Sequence, residues 1–302
     1  MVKALAIDGN SLLFRCYYAT AKMLDYYHKN NLIPTNAILL MVSTIFKLLN
    51  NSYQYVFIAF DAHRKTFRNQ IFPNYKMNRS KTPEDLIVQL GWVKKIISAM
   101  GIHHAAFDNY EADDLIGSFT KIMNDHNIVV DIYSSDRDLL QLITPLTNYH
   151  MFKVGLSKTI LYTDNNFSSL FYGLKPNQVV DFKAIVGDSS DNFCGIKGIG
   201  PKTAVSLLQK YGSLNEIYQH ISELSQKNQQ ILADDVNKKN CQICYQIAKI
   251  KKDLFLSQSI DQFLKKKIDF EQFNEIIDFL KIPSLKKYIS FSMSKNNEKC
   301  FN

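Results

Sequence analysis

The sequence predicts an α/β protein whose central sheet is mostly parallel and flanked by helices. Short apolar runs alternate with longer segments in which apolar residues recur at helical spacing, as in a doubly wound sheet. Two of these runs, residues 4–7 and 55–60, lead directly into Asp8 and Asp61. Because parallel strands present their carboxyl ends at one edge, where open α/β sheets hold their ligands, we expect both side chains at a common site.

Each element has its own signal in the sequence. A turn and a helix follow Asp8, and Pro83 favours the start of another helix because proline fits the first turn. Residues 269–280 have an amphipathic pattern, and Pro283 closes that helix. The predicted order is strand 4–7, a helix from residue 9, helix 35–49, strand 55–60, helix 83–100, strand 101–107, a helix starting near residue 111, strand 129–133, short strands within 148–162, and a helical remainder.

The stretch from residue 109 to residue 140 concentrates carboxylates at the ends of two predicted elements. Three stand at the start of a helix and two directly follow a strand: Glu111, Asp113, Asp114, Asp136 and Asp138. A single one of them is as easily explained as a helix cap. Packed together they would repel and raise each other's pKa unless cations neutralised them. Since Mg²⁺ prefers hard oxygen ligands, the cluster predicts a metal site built from carboxylates.

A basic insert separates Asp61 from the next helix. Residues 62–83 contain six Lys or Arg and no acid, with Phe67, Phe72 and Tyr75 interleaved. Lysine and arginine neutralise phosphates and aromatic rings stack on unpaired bases, so the mixture suits single-stranded nucleic acid. The alternative is a solvated, mobile loop, and the position directly after Asp61 favours the binding interpretation.

Residues 183–204 contain a further pair of acids and a glycine-rich turn. Asp188 and Asp191 are three apart, which suits one face of a helical turn or a capped turn. The turn GIKGIGPK lets main-chain N–H groups approach a phosphate at the start of the helix opened by Pro201. No strand leads into these glycines, so a dinucleotide-binding fold is not favoured. A plain turn between two helices is the alternative.

Composition bounds the class of protein. The 302 residues, 46% of them hydrophobic, suit one large or two modest domains. The net charge of +8, of which residues 237–302 carry +6, favours an anionic partner but also fits general solubility. Five cysteines without dense spacing favour a reducing compartment, and the CxxC of Cys241 and Cys244 is interpreted as helix core. Without a secretory signal or a membrane-length apolar run, we expect a soluble, cytoplasmic protein.

Five motifs in this order resemble those of the 5′–3′ exonucleases and flap endonucleases, in particular the nuclease domain of bacterial DNA polymerase I. They read IDGNSLLFRCYYA, FDAHRKTFRNQIFPNYKMNR, YEADDLIG, SSDRDLLQL and VGDSSDNFCGIKGIGPKTA, and the resemblance covers residues 2–282. It implies a PIN-like nuclease core. Since no polymerase domain follows, the chain resembles a free-standing member of the family.

The resemblance implies two divalent metal ions, Mg²⁺ or Mn²⁺. The ligands implied for the first are Asp8, Asp61, Glu111, Asp113 and Asp114, and those for the second are Asp136, Asp138, Asp188 and Asp191. The insert is implied to form an arch over the site. The catalytic residues implied to handle phosphate are Lys76, Arg68 and Arg15, while Tyr75 and Arg79 are implied to bind DNA.

The glycine turn is similar to the family's helix-hairpin-helix, which holds duplex DNA. The residues implied are Gly195, Gly198, Gly200 and Lys202, with K⁺ on main-chain carbonyls. The implied organisation is a nuclease core over residues 1–175 with the arch at 62–83, a helical helix-hairpin-helix region over 176–290, and a frayed tail over 291–302.

The implied function is a structure-selective 5′–3′ DNA exonuclease and 5′-flap endonuclease that removes primers and flaps in replication and repair. The predicted partners are DNA with 5′ ends or 5′ flaps and a DNA polymerase, with no membrane and a monomeric state. Two alternatives are kept: a structure-selective DNA-binding protein without catalysis, and a PIN-like ribonuclease. The complete set of acids favours catalysis, and the helix-hairpin-helix favours DNA.

Overall fold

A computed structural model describes residues 2–49, 53–62, 65–153, 158–254 and 259–288. Within these ranges six strands form one sheet in the order β3-β2-β1-β4-β5-β6, and β6 alone pairs antiparallel with its neighbour. The strands are β1 (Lys3–Asp8), β2 (Tyr55–Ala59), β3 (His103–Ala105), β4 (Val129–Ser134), β5 (Thr147–Phe152) and β6 (Thr159–Tyr162). The predicted α/β class with a mostly parallel sheet is confirmed.

Helices cover both faces of the sheet and form the C-terminal part of the described chain. They are α1 (Gly9–Ala19), α2 (Leu24–Lys29), α3 (Asn36–Leu49), α4 (Phe67–Ile71), α5 (Glu84–Ala99), α6 (Ala112–Asp125), α7 (Phe167–Leu170), α8 (Val179–Val186), α9 (Pro201–Tyr211), α10 (Leu214–Gln219), α11 (Gln226–Ala233), α12 (Asp235–Ala248) and α13 (Phe270–Phe279). The predicted helix over 35–49 and the amphipathic helix over 269–280 are confirmed.

Two predicted boundaries differ from the structure. The strand predicted over 101–107 is only His103–Ala105, because Gly101 belongs to the turn after α5 with φ +70°. A Cβ there would lie 2.7 Å from the carbonyl oxygen of Lys266, so the turn requires glycine. The helix predicted to start at Pro83 begins at Glu84, with Pro83 as its N-cap residue.

The side chains of β1 alternate between two cores, one on each face of the sheet. Ala4 and Ala6 face a core shared with α6, α8 and α12, and Leu5 and Ile7 face a core shared with α1, α3, α5 and α13. This period of two follows from strand geometry and explains why a central parallel strand reads as a continuous apolar run. Cys241 and Cys244 are buried in α12, as predicted for core positions.

The helices of the C-terminal half belong to both cores. Helices α8 and α12 pack in the first core, while Phe273 of α13 is fully buried in the second. The division near residue 175 stays a prediction. Residues 291–302, the predicted frayed tail, lie outside the described residues. No described helix has the length and apolar character needed to cross a membrane.

A polar network holds a carboxylate in the middle of β4. Asp131 accepts hydrogen bonds from Tyr53 Oη at 2.7 Å and Asn148 Nδ2 at 2.9 Å, and His150 Nε2 lies 3.7 Å away. Burial alone would raise the pKa of Asp131, but His150, Asn148 and Tyr53 lower it to about 2. The ionised carboxylate is therefore stabilised in the folded protein.

We expect Asp131→Asn to lower the free energy of unfolding at pH 7 by about 1–3 kcal/mol. A carboxylate whose pKa falls on folding stabilises the protein above its unfolded pKa of about 3.9, and this contribution is lost as the pH falls toward 2. Urea unfolding followed by circular dichroism between pH 2 and pH 7 measures the difference. Asp164→Asn, at an exposed position, is the control. A variant as stable as wild type at pH 7 would contradict the assignment.

Candidate active site

The carboxyl edge of β1 and β2 holds two aspartates in fixed orientations. Asp8 ends β1 and caps α1, accepting hydrogen bonds from the Ser11 N–H at 2.9 Å and the Ser134 hydroxyl at 2.8 Å. Asp61 follows β2 and accepts the N–H of Ala112, at the start of α6, at 2.8 Å. The strand ends thus bring both predicted residues to one edge, where the following helices orient them.

Three further carboxylates face this pair. Burial, followed by repulsion from Asp136 and Asp8, raises the pKa of Asp113 well above its usual range. Burial also raises the pKa of Asp8 to about 7, with repulsion from Asp61 and Asp136 adding to it. The pKa of Asp138 is raised to about 7 by burial and by Asp136, against the opposing charge of a lysine. We call these five residues, Asp8, Asp61, Asp113, Asp136 and Asp138, the acidic edge.

The environment of Asp113 shows whether the acidic edge suits a cation. It is 9% exposed, and no residue in the described ranges donates a hydrogen bond to its carboxylate. A buried charge without a partner is costly, so the donor set suits a hard cation that removes the repulsion. Among the described residues, no three His, Cys, Asp or Glu side chains already lie together closely enough to hold a metal ion by themselves, so substrate and water would have to supply ligands. The edge therefore fits a hydrated ion such as Mg²⁺, which keeps several waters, rather than a closed cage.

Lys183 joins the acids after β4 to the turn after α8. Its ammonium contacts the carboxylate of Asp138 and lies 2.7 Å from Asp188. Burial would lower the pKa of Lys183, but Asp138, Asp136 and Asp188 raise it, so the lysine is charged at neutral pH. The sequence interpretation missed this residue. The available signal was a lysine about one helical turn before the acidic turn.

Asp188 and Asp191 do not share one helical face. Asp188 accepts the N–H of Ser190 at 2.8 Å in a capped turn and faces Lys183. Asp191 accepts Arg79 Nη2 at 2.6 Å, so it faces the insert. Of the two geometries predicted for this spacing, the capped turn is confirmed and the helical turn is wrong, because the chain after α8 turns at Gly187 with φ +82°.

The insert is fastened to the acids around the site. Tyr75 Oη lies 3.2 Å from both Glu111 Oε2 and Asp191 Oδ2, and Lys76 Nζ lies 2.9 Å from Glu111 Oε2. Together with the Arg79–Asp191 pair, these contacts tie its second half to two different parts of the chain. The alternative of a wholly solvated loop does not fit residues 65–83.

Arg68 and Asp114 pair with each other inside the protein. The guanidinium donates to both carboxylate oxygens at 2.6 and 2.8 Å, and its Nε donates to the carbonyl of Ile247 at 2.8 Å. Arg68 is 2% exposed and Asp114 is fully buried. The phosphate-handling role implied for Arg68 and the metal-ligand role implied for Asp114 do not fit this geometry, because each side chain is committed to the other away from solvent.

Arg15 lies beside the acids that follow β4, whereas the glycine turn precedes α9. Arg15 Nη1 donates to Ser135 Oγ at 3.1 Å, one residue before Asp136, and its other nitrogen contacts the carbonyl of Lys153. In the glycine turn, Gly195 has φ +61°, and a Cβ there would lie 2.4 Å from the main-chain nitrogen of Gly187. Gly200 is the N-cap residue of α9, Pro201 opens that helix as predicted, and Lys202 is exposed on its first turn. Gly198, in the same turn, has φ +99°.

A cavity of about 550 Å³ lies between α1 and the insert. Phe14 of α1, Asp61, Tyr75, Lys76 and Glu111 line it. Lys65 and Arg79 line it as well, so the cavity presents three basic residues of the insert and two acids to the same space, as a site for a phosphate and its counterions requires.

Family models match almost the whole chain. Residues 3–171 match the 5′–3′ exonuclease N-terminal resolvase-like domain, and residues 174–271 match the 5′–3′ exonuclease C-terminal SAM fold. A 5′–3′ exonuclease of Mycoplasma genitalium is 43% identical over 94% of this chain and 98% of its own length. The corresponding protein of Mycoplasma pneumoniae is 40% identical over 96% of this chain and 99% of its own. DNA polymerase I of Lactococcus lactis is 38% identical over 77% of this chain and 27% of the polymerase.

Solved structures share the fold at lower identity. The bacteriophage T5 D15 protein, crystallised with metal ions, has a TM-score of 0.64 at 20% identity over 97% of this chain and 98% of its own. The catalytic core of Rad2 in complex with DNA substrate has a TM-score of 0.59 at 15% identity over 94% of this chain and 91% of its own. With an acidic edge at the carboxyl ends of its strands and relatives that match from end to end, this chain belongs to the 5′–3′ exonuclease family.

Proposed function

We propose that the protein is a structure-selective 5′ nuclease that hydrolyses phosphodiester bonds of DNA at 5′ ends and 5′-flap junctions. The observation that carries the proposal is the buried Asp113 carboxylate, which faces Asp8 and Asp136 and receives no hydrogen bond from the described residues. A hard cation would remove the repulsion among these carboxylates. Relatives named 5′–3′ exonuclease at 43% and 40% identity support the reaction class.

We assign the acids to two metal ions according to the contacts that each carboxylate makes in the structure. Asp8 and Asp113 would hold one divalent ion, supported by Asp61, which accepts the N–H of Ala112 at the start of α6. Asp136, implied for the second ion, would also serve the first, because its charge raises the pKa of both Asp8 and Asp113. Asp138, Asp188 and Asp191 would hold the second, in a space that the charge of Lys183 now neutralises. Bound Mg²⁺ or Mn²⁺ supplies Lewis acidity toward the phosphate and a water molecule of lowered pKa.

Lys76 is positioned to receive the scissile phosphate. Burial would lower its pKa, but Glu111 and Asp191 raise it, so its ammonium is charged at neutral pH. Its backbone is left-handed, with φ +54°, a conformation that residues other than glycine rarely adopt, and its N–H donates to the carbonyl of Asp191 at 3.0 Å. This fixed backbone aims a cation into the cavity beside Asp61, where it stabilises charge that develops on the phosphate.

Tyr75, Arg79 and Arg15 would position the nucleic acid around Lys76. Tyr75 holds Glu111 in place through its hydroxyl, and Arg79, whose side chain is 47% exposed, is accessible to a phosphate at the rim. The glycine turn of residues 195–200 with Lys202 would hold the duplex backbone, with K⁺ on its carbonyls. We further propose a cytoplasmic, monomeric enzyme that acts in replication and repair beside a DNA polymerase, which the polymerase I relatives support.

The test is cleavage of a 5′-flap DNA labelled at its 3′ end, with Mg²⁺, with Mn²⁺ and with EDTA. We expect metal-dependent products at or near the flap junction and no product in EDTA, because the unneutralised acidic edge repels the phosphate. Undiminished cleavage in EDTA would contradict the metal proposal. A matched all-RNA flap separates a nuclease for DNA from the ribonuclease alternative.

The DNA-binding alternative predicts a different outcome in the same assay. A binder without catalysis would retain the flap in a gel-shift experiment and yield no product with either metal. The unpaired carboxylate of Asp113 argues against it, because an acid facing phosphates weakens binding unless a cation is present.

A further inference from the structure

A second cavity, of about 880 Å³, lies on the other face of α4 from the acidic edge. Phe67 and Ile71, four residues apart on one face of this short helix, line it, whereas Asn69 on the opposite face lines the cavity beside the acids. Helix α4 and its buried arginine thus separate two cavities. Nothing in the proposed hydrolysis uses the second one.

Lysines dominate the charge of this second cavity. Lys121, Lys249, Lys251 and Lys252 line it, with Asp253 as the single acid among the lining residues. Lys121 pairs with Asp125, but no described carboxylate lies within ion-pair distance of the other three lysines. Burial, with the nearby charge of Lys249, lowers the pKa of Lys252. The lining lysines outnumber the one lining acid, and this excess of positive charge favours an anion in the cavity.

Two aromatic rings stand beside these lysines. Lys251 Nζ lies 5.6 Å from the centroid of the Phe67 ring, and Lys249 Nζ lies 5.8 Å from that of Tyr245. Flat rings next to ammonium groups suit a ligand that carries both a base and a phosphate, since the ring stacks on the base while the lysine binds the phosphate. A cavity of this size accommodates a nucleotide.

The wall of the cavity is fixed by the buried ion pair. The N–H of Lys251 donates to Asp114 Oδ1 at 2.9 Å, and the N–H of Ile250 donates to Gln141 Oε1 at 3.0 Å. The main chain that carries the lysines is therefore hydrogen-bonded to buried side chains of other elements, so the lysines project from a rigid base.

We propose that this cavity binds a nucleoside phosphate, either a free nucleotide or the end nucleotide of a single strand, at a site separate from the acidic edge. The base would lie against Tyr245, because the Phe67 ring already carries the Arg68 guanidinium at 4.6 Å, and the phosphate would lie between Lys249 and Lys252. The proposal does not rest on the hydrolysis proposed above, because binding is measured without metal.

The experiment measures binding of two probes in EDTA. Thymidine 5′-monophosphate is titrated by calorimetry, and a 5′-phosphorylated tetrathymidylate with a 3′ fluorophore is titrated by anisotropy. We expect Lys249→Ala combined with Lys252→Ala to weaken binding about tenfold or more, because two charge-assisted contacts are lost. Lys266→Ala combined with Lys267→Ala removes the same charge at exposed positions outside the cavity and should change affinity less than about twofold.

Comparing the two probes shows which kind of ligand binds, and the Lys76→Ala variant shows at which site it binds. Equal affinity for both probes identifies a mononucleotide site, and tighter binding of the tetranucleotide identifies a path for a strand; both support the proposal. Absence of binding to wild type, or equal losses in the two lysine pairs, overturns it. Lys76→Ala should leave binding of the monophosphate unchanged, and a loss there would assign the binding to the acidic edge and overturn the proposal. Circular dichroism establishes that each variant is folded.

Discussion

Replacing Asp113 by asparagine should lower the rate of flap cleavage about 10²–10³-fold and at the same time stabilise the metal-free protein. The loss of activity follows because a ligand that helps to place the ions contributes several kcal/mol to the reaction barrier. The gain in stability follows because burial and the neighbouring Asp136 and Asp8 raise the pKa of Asp113. A carboxyl whose pKa rises on folding destabilises the folded state once the pH exceeds its unfolded pKa, so removing the charge at pH 7 relieves that cost.

Two measurements on the same variant check this prediction. Single-turnover cleavage with Mg²⁺ reports the ligand role, and thermal unfolding in EDTA at pH 7 and pH 4 reports the repulsion. The stabilisation should shrink at pH 4, because the Asp113 carboxyl of the unfolded wild-type chain, with a pKa of about 3.9, then also takes up a proton and the difference between the two states disappears. The matched control is Asp125→Asn, the same change at the exposed end of the same helix, which should alter neither quantity. Cleavage at the wild-type rate, or a lower unfolding temperature in EDTA, would refute the assignment.

Replacing Arg68 by alanine should cost about 3–5 kcal/mol of stability, because it leaves the buried charge of Asp114 without its partner. The side chain of Arg68 is 3% exposed and that of Asp114 is fully buried, so solvent cannot compensate. The hydrogen bond from Arg68 Nε to the carbonyl of Ile247 is lost as well. Through this contact and the N–H of Lys251 on Asp114, the pair ties the insert to α6 and to the chain after α12.

A double-mutant cycle with Asp114→Ala isolates the pair. We expect urea unfolding to show that the double variant loses much less unfolding free energy than the two single variants lose together, because removing both charges leaves neither unpaired. Arg79→Ala is the matched control in the same insert. The Arg79 side chain is 47% exposed, and the Asp191 carboxylate keeps the hydroxyl of Tyr75 as a partner, so we expect a smaller loss than for Arg68→Ala. If the Arg68→Ala protein is stable and binds flap DNA but fails to cleave it, this structural role is contradicted and Arg68 acts on the phosphate.

Lys183 shows how the acids can be held together without a bound ion. Its ammonium lies between Asp138 and Asp188, which come from opposite ends of the site in the sequence. Asp113 accepts no hydrogen bond from the described residues, and the nearby charge of Lys76 offsets only part of the burial and repulsion that raise its pKa. The protein therefore neutralises part of this group of acids, and the proposed metal ions would neutralise the rest.

The local sequence pattern was sufficient for the sheet and for the aspartates at its edge. Asp8 and Asp61 follow apolar runs, and parallel strands always bring their carboxyl ends to one side, so their meeting follows from the pattern alone. The capped turn after α8 was one of two geometries that its spacing allowed. The role of the insert was predicted only in part, because a count of lysines and arginines does not show which of them already have partners.

The sequence by itself thus determined the α/β class and the common edge at which Asp8 and Asp61 meet, because these depend on patterns of two to four residues. Only the tertiary structure decided which acids pair internally and which remain available. Arg68 and Asp114 are 46 residues apart and Lys183 and Asp138 are 45 apart, and each pair forms through packing of elements that are distant in the chain. A charge that meets its partner over such a separation is indistinguishable, in the sequence, from one that meets a metal ion or a phosphate.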